Sequence, residues 1–182
     1  MTSGTTNRTE PRLAPLTPDT ARGSARDVLT ELTERHGQVG AMVRTMAHSP
    51  AVLGGYLGLS RAMKRSKLDR RVGERISLAI QEHQGCALCL AAHTSAARAA
   101  EVDDDEIELA RLGTSGDPAV AAIVMFALQV HTAPASITDA QIAELRDHGY
   151  SDRELADVVG LVALNVLTGA FNLVAGLEPD DE

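Results

Sequence analysis

Apolar residues along this chain recur at intervals of three and four, the period of one helix face. No segment alternates apolar and polar residues over the length of a strand. Residues 1–16 carry Pro11 and Pro15 with little periodicity and read as an N-terminal arm, mobile or docked on a neighbouring subunit. Thr17 before Pro18 is a cap followed by a helix-opening proline, and Val28, Leu29 and Leu32 form a stripe that ends near Gly37. Val39, Met42, Val43 and Met46 predict a short second helix. Ser49-Pro50 opens a third, with Val52, Leu53, Leu57 and Leu59. A fourth begins at Leu68 or Asp69, carries Val72, Ile76, Leu78, Ala79 and Ile80, and is punctuated by Gly85.

A new helix starts near Cys86 and runs to about Ala100. Val102-Asp103 opens a short one with Ile107, Leu109 and Leu112 inward. Gly113 and Gly116-Asp117-Pro118 break the chain before an apolar helix from Pro118 to His131. Ser136 or Thr138 caps the next, which holds Ile142 and Leu145. Ser151-Asp152-Arg153-Glu154 opens the last and longest, whose apolar run Val158–Val174 reads as a buried helix. Two stretches are punctuated alike, Ala100–Ile107 and His148–Leu155: each ends one helix and caps another. The prediction is an all-α single domain over residues 17–177, with an acidic tail at 178–182.

Composition agrees. Aromatics are only 2% of residues, so Ala, Leu, Val and Ile, good helix formers or plain aliphatics, must build the core. Lys and Arg number 17 against 25 Asp and Glu, a net charge of −8. An acidic chain is poorly suited to nucleic acid, where phosphate contacts need clustered cations. The one basic cluster, Arg61, Lys64, Arg65, Lys67, Arg70, Arg71 and Arg75, reads as a solvated face. No apolar run of signal-peptide length stands at the N-terminus, and no stretch reaches the roughly 20 apolar residues of a bilayer span. The expectation is a cytoplasmic protein without a membrane partner. In a reducing compartment two cysteines are poor structural staples.

Those two cysteines carry the chemistry. Gly85-Cys86-Ala87-Leu88-Cys89-Leu90-Ala91-Ala92-His93 puts Cys86, Cys89 and His93 on one helix face. Cys86, in the first turn, gains from the helix dipole and the free backbone N–H groups, which lower a thiol pKa. His93 lies one turn beyond Cys89 and can take its proton. The dipole favours Cys86 as the readier thiolate; proximity to His93 favours Cys89. After one sulfur is oxidised, the other can close a disulfide. If the chain folds back at Gly85, Glu74 can approach His93 and favour its imidazolium. Glu82 is a rival carboxylate and His83 a rival base. A zinc site would need Cys86, Cys89, His93 and a fourth ligand from His83, His131 or a carboxylate, and no second C-x-x-C exists. Small apolar core cysteines are another reading. No glycine fingerprint signals a flavin or nicotinamide, so no cofactor is expected.

Asp69-Arg70-Arg71-Val72-Gly73-Glu74 followed by Gly85-Cys86-Ala87-Leu88-Cys89 and His93-Thr94 resembles the AhpD-like alkylhydroperoxidase and carboxymuconolactone decarboxylase superfamily. Its pattern is a Glu twelve residues before C-x-x-C-x-x-x-H, and Glu74, Cys86, Cys89 and His93 match it. Residues 18–64, Asp117–Phe126 and Asn165–Asn172 resemble the lead-in, the following helix and the ending of the peroxidase-related members. The resemblance implies an AhpD-like helical bundle and a homo-oligomer, trimer or hexamer. It also implies reduction of a small-molecule hydroperoxide with electrons from a thiol reductant of lipoyl or thioredoxin type. Cys89 is then the attacking thiol, Cys86 the resolving thiol, His93 the general base and Glu74 its partner. Leu88 departs from relatives that hold a histidine or an aromatic there, which removes a proton carrier and dries the site. The alternatives are a redox sensor that uses the Cys86–Cys89 disulfide as a switch without turnover, and a carboxymuconolactone-type decarboxylase, which has no need of a dithiol.

Overall fold

The computed structural model describes residues 10–179, and within them the chain is all helix, without a strand. The elements are α1 (Gly23–His36), α2 (Ala41–Met46), α3 (Pro50–Met63), α4 (Arg70–Gln84), α5 (Ala87–Ala99), α6 (Asp104–Arg111), α7 (Pro118–Thr132), α8 (Asp139–Asp147) and α9 (Asp152–Ala175). The expectations for residues 1–9 of the arm and 180–182 of the tail lie outside the described residues.

Local chemistry sets the helix starts. Ser49, Asp69, Asp103, Asp117, Thr138 and Ser151 each accept a hydrogen bond from a backbone N–H of the first turn, satisfying a donor that has no partner inside the helix. Thr138 with Gln141 and Ser151 with Glu154 form full capping boxes. Ser136 is left in a 3-10 turn, Pro134–Ser136, ahead of α8. The expected helix start at Thr17-Pro18 is instead a single turn, closed by the Ala21 N–H on the Thr17 carbonyl at 2.8 Å. Gly23, at φ +55, is the first residue of α1.

At the centre lies α4, packed against α5, α6, α7 and α9. Val72, Ile76, Ala79 and Ile80 meet Ile123, Val124 and Ala127 of α7 and Val158 and Val162 of α9 in the main core. Leu78, on another side of α4, joins Ala97, Val102, Ile107 and Ala110. The N-terminal helices supply a third cluster around Leu29, Met46 and Leu53, tied to α9 through Phe171.

Three sequence expectations need correction. Leu112 is not inward but 79% exposed. Ala110 takes the buried position three residues after Ile107, because Leu112 follows the last turn of α6. Arg75 is not on a solvated face. It is largely buried and lies 3.1 Å from the carboxylate of Glu106. Finally, α9, at 24 residues, is long and apolar enough to cross a membrane by length and composition, since its Gly and Thr residues hardly interrupt the apolar run. Its buried positions are Leu155, Val158, Val162, Asn165, Gly169, Asn172 and Ala175, spaced by threes and fours, so one seam faces the chain's own helices. Val159 and Val174 stay exposed.

Residues 12–16 of the arm lie along the chain's own helices. The Leu13 N–H donates to the Ala175 carbonyl at 3.2 Å, the Arg12 guanidinium to the Leu173 carbonyl at 2.6 Å, and the Leu16 N–H to the Arg44 carbonyl at 3.2 Å.

The two similarly punctuated stretches share a geometry. After α5, Glu101 sits at φ +61, the position held after α8 by Gly149 at φ +95. A side chain in that region costs about 1–2 kcal/mol, and only an exposed 3.7 Å contact with Arg71 offsets it. Glu101→Gly is therefore expected to stabilise the fold by about 0.5–1 kcal/mol, read as a higher urea midpoint at unchanged slope. Where α9 crosses α4, Gly169 leaves room for two amides. A Cβ there would stand 2.5 Å from the Gln81 Oε1 and 3.0 Å from the Gln84 Cδ. Gln81 is fully buried and its amide is held by Asn165, so it has little room to retreat. Gly169→Ala is expected to cost about 1–3 kcal/mol, measured in the same titration.

Candidate functional site

Helix α4 ends at Gly85, whose φ of +72 suits a residue without a Cβ. The Gly85 N–H donates to the Glu82 carbonyl at 3.0 Å and the Cys86 N–H to the Gln81 carbonyl at 3.1 Å, the two bonds of a Schellman motif. The chain turns back, Cys86 becomes the N-cap of α5, and its sulfur accepts from the Cys89 N–H at 3.3 Å. Cys86 and Cys89 form a disulfide with Cα atoms 5.3 Å apart. Cys86 is 1% exposed and Cys89 6%.

The reversal brings Glu74 to His93. His93 Nδ1 lies 2.8 Å from Glu74 Oε2, and both side chains keep partial access to solvent. The rivals are engaged elsewhere. Glu82 accepts from Arg111 at 2.7 Å, and His83 meets His131 edge to face at 5.2 Å. Burial first, then the neighbouring His83, lowers the His131 pKa. Among the described residues, no three His, Cys, Asp or Glu side chains gather where they could hold a metal ion.

A cavity of about 760 Å³ opens on this group. Cys89 and His93 lie on its wall, together with Leu88, Tyr56, Met42 and Leu164; Cys86 does not. A smaller cavity of about 530 Å³, with Lys64 and Arg70 on its wall, reaches Glu74 and His93 from another side. His93 thus borders both spaces, one apolar and sulfur-bearing, the other with cations.

Behind the sulfurs runs a set of buried polar groups that motif reading passed over. Gln81 Nε2 donates to the Asn165 Oδ1 at 2.9 Å and to its backbone carbonyl at 3.0 Å. Asn165 Nδ2 donates to the Ser77 Oγ at 3.1 Å, and Ser77 in turn to the Gly73 carbonyl at 2.9 Å. Asn172 Nδ2 points at the Cys89 sulfur, 3.2 Å away. A signal was available: Asn165 and Asn172 are seven residues apart in an apolar run, which puts them on one helix face, the one bearing Val158 and Val162.

All four residues of the sequence pattern therefore lie at one place: Cys86 and Cys89 bonded, Cys89 open to the cavity, His93 beside it and Glu74 on His93. Such a set can cycle between dithiol and disulfide, with a carboxylate-supported imidazole to move a proton.

Known proteins bear on this arrangement at two levels. In overall fold the chain is similar to an uncharacterised peroxidase-related protein with an alkylhydroperoxidase AhpD core from Ralstonia eutropha JMP134. The identity is 23% and the TM-score 0.79, over 94% of this chain and 93% of that one. It is similar also to an uncharacterised peroxidase-related protein from Silicibacter sp. TM1040, at 22% identity and TM-score 0.78, over 97% and 96%. The debrominase Bmp8, solved with 2,3,4-tribromopyrrole, matches at 19% identity and TM-score 0.68, over 91% and 89%. No curated protein matches the sequence. The model of the carboxymuconolactone decarboxylase family matches residues 50–130, the span that contains Glu74, Cys86, Cys89 and His93. Over that span the chain is similar to the carboxymuconolactone decarboxylase family, and its all-helical fold is that of the AhpD-like structures.

Proposed function

We propose that this protein is a thiol peroxidase that reduces hydroperoxides through Cys89 and Cys86. The observation that carries the reading is the Cys86–Cys89 disulfide with only Cys89 open to the cavity, where His93 also stands. In the reduced protein His93 takes the proton of the Cys89 thiol. The thiolate attacks the distal oxygen of the hydroperoxide; an S–O bond forms and the O–O bond breaks. The leaving alkoxide takes the proton back from the imidazolium and departs as the alcohol, so sulfur is oxidised and the peroxide reduced. Cys86 then attacks the Cys89 sulfenic acid, the S–S bond forms, and water leaves with the Cys86 proton. Glu74, at 2.8 Å from His93 Nδ1, fixes the ring and favours its protonated form in the first step.

A dithiol reductant of lipoyl or thioredoxin type restores the pair. Leu88 on the cavity wall favours an apolar organic hydroperoxide over hydrogen peroxide. The reading includes a cytoplasmic protein acting as a homo-oligomer. The family resemblance supports that assembly, as do the exposed apolar side chains of Leu112, Met125, Val159 and Val174.

A second reading has the apolar cavity and the likeness to a debrominase behind it: reductive dehalogenation of an apolar ring. The same dithiol would supply two electrons, halide would leave, hydrogen would replace it, and the disulfide would remain.

Steady-state consumption of cumene hydroperoxide, with dihydrolipoamide, thioredoxin and dithiothreitol compared as donors, tests the leading reading. Cys89→Ser is expected to abolish turnover. Cys86→Ser should leave one oxidising equivalent per protein, trapped by dimedone on Cys89. Glu74→Gln is expected to lower kcat about 10–100-fold with KM little changed. Bromide release from a bromopyrrole without peroxide consumption favours the second reading. A protein that forms its disulfide with peroxide but turns over with none of these donors is a switch.

A further inference from the structure

Asn172 is 3% exposed and stands in the last turns of α9, facing the cavity that holds Cys89. Its side-chain Nδ2 donates to the Cys89 sulfur at 3.2 Å, and its Oδ1 is buried without a hydrogen-bond partner. A buried amide oxygen left unpaired costs about 1–3 kcal/mol, so its retention asks for an explanation. The residue is also firmly held. Its own carbonyl accepts from the Leu177 N–H at 3.0 Å in the turn that ends α9, and the Arg12 guanidinium donates to the neighbouring Leu173 carbonyl at 2.6 Å.

A disulfide sulfur is a weak acceptor, whereas a thiolate is a charged one that forms much stronger hydrogen bonds. The contact is therefore worth far more once the pair is reduced. Leu88 offers no proton or hydrogen bond at the C-x-x-C, so Asn172 is the polar side chain that touches the attacking sulfur from the α9 side.

We infer that Asn172 is a further catalytic residue, holding the reduced Cys89 as thiolate through its Nδ2–H. The inference deepens the peroxidase reading, in which that thiolate attacks the peroxide. The leaving alkoxide takes its proton from His93, so Asn172 gives up none and needs no second protonation state.

The test is the pH dependence of iodoacetamide alkylation of the reduced protein, with modification mapped to Cys89 by peptide mass. Wild type, Asn172→Ala and Asn172→Asp are compared. Asn172→Ala should alkylate about tenfold more slowly at neutral pH, its profile displaced upward by about one pH unit and its high-pH plateau unchanged. Asn172→Asp, equal in size but presenting a carboxylate to the sulfur, should move further the same way. In the wild type the Asn172 side-chain amide proton should shift downfield as Cys89 loses its proton, a readout that needs no variant to fold. Profiles that overlay the wild type despite a lowered melting temperature, or an amide signal that ignores the titration, overturn the inference. Alkylation needs no peroxide, so the two readings fail separately. Displaced profiles in a protein that reduces no peroxide sink the peroxidase reading and keep the thiolate contact. Overlaid profiles in an active peroxidase sink only the role of Asn172.

Discussion

The site depends on one chain reversal. Gly85 adopts a left-handed conformation that ends α4, and two backbone hydrogen bonds close the turn before α5 begins. That single turn fixes three things. It makes Cys86 the N-cap, with its sulfur accepting from the Cys89 N–H. It sends α5 back along α4, so that Glu74, far earlier in sequence, reaches His93. It also leaves Cys89 one turn inside α5, toward α9 and the cavity. Any residue with a Cβ at position 85 would strain the conformation on which all three rest.

Helix α9 closes the other side. Its buried seam carries two amides, Asn165 and Asn172, among apolar residues, and they hydrogen-bond to α4 and to Cys89 rather than to each other. Polar groups in a low-dielectric interior hold a fixed geometry when satisfied and cost stability when not. Gly169 is what lets α9 come close enough for Gln81 and Gln84 to lie against it. The sulfur thus shares a cavity wall with an imidazole, which the proposed reaction uses for proton transfer, and touches an amide that can only hydrogen-bond to it. This division suits a thiol that must be charged in one step and bonded to oxygen in the next.

Most of the helices were legible from spacing and caps alone, because Ser49, Asp69, Asp103, Asp117, Thr138 and Ser151 mark their own helix starts. The C-x-x-C-x-x-x-H face was legible for the same reason: three-and-four spacing is a property of the helix itself. The Glu74 contact was only conditionally readable, since spacing names a candidate carboxylate but not the angle at which two helices meet. What stayed hidden depends on tertiary packing. Arg75 looks like one more surface cation until Glu106 arrives from α6. Asn165 and Asn172 look like interruptions of an apolar run until α4 and Cys89 supply their partners. Leu112 looks like core until the helix before it stops one residue earlier.

A cysteine pair whose Cys89 faces an apolar cavity, with an imidazole on the same wall, is the centre of this account, and its claim is stoichiometric. The most direct measurement is a single-turnover titration: fully reduced protein against a limiting organic hydroperoxide, with intact mass and product alcohol followed together. The account predicts one alcohol formed and two hydrogens lost for each peroxide added, with the loss confined to Cys86 and Cys89. Alcohol formed while both thiols survive, or thiols lost without alcohol, would contradict it.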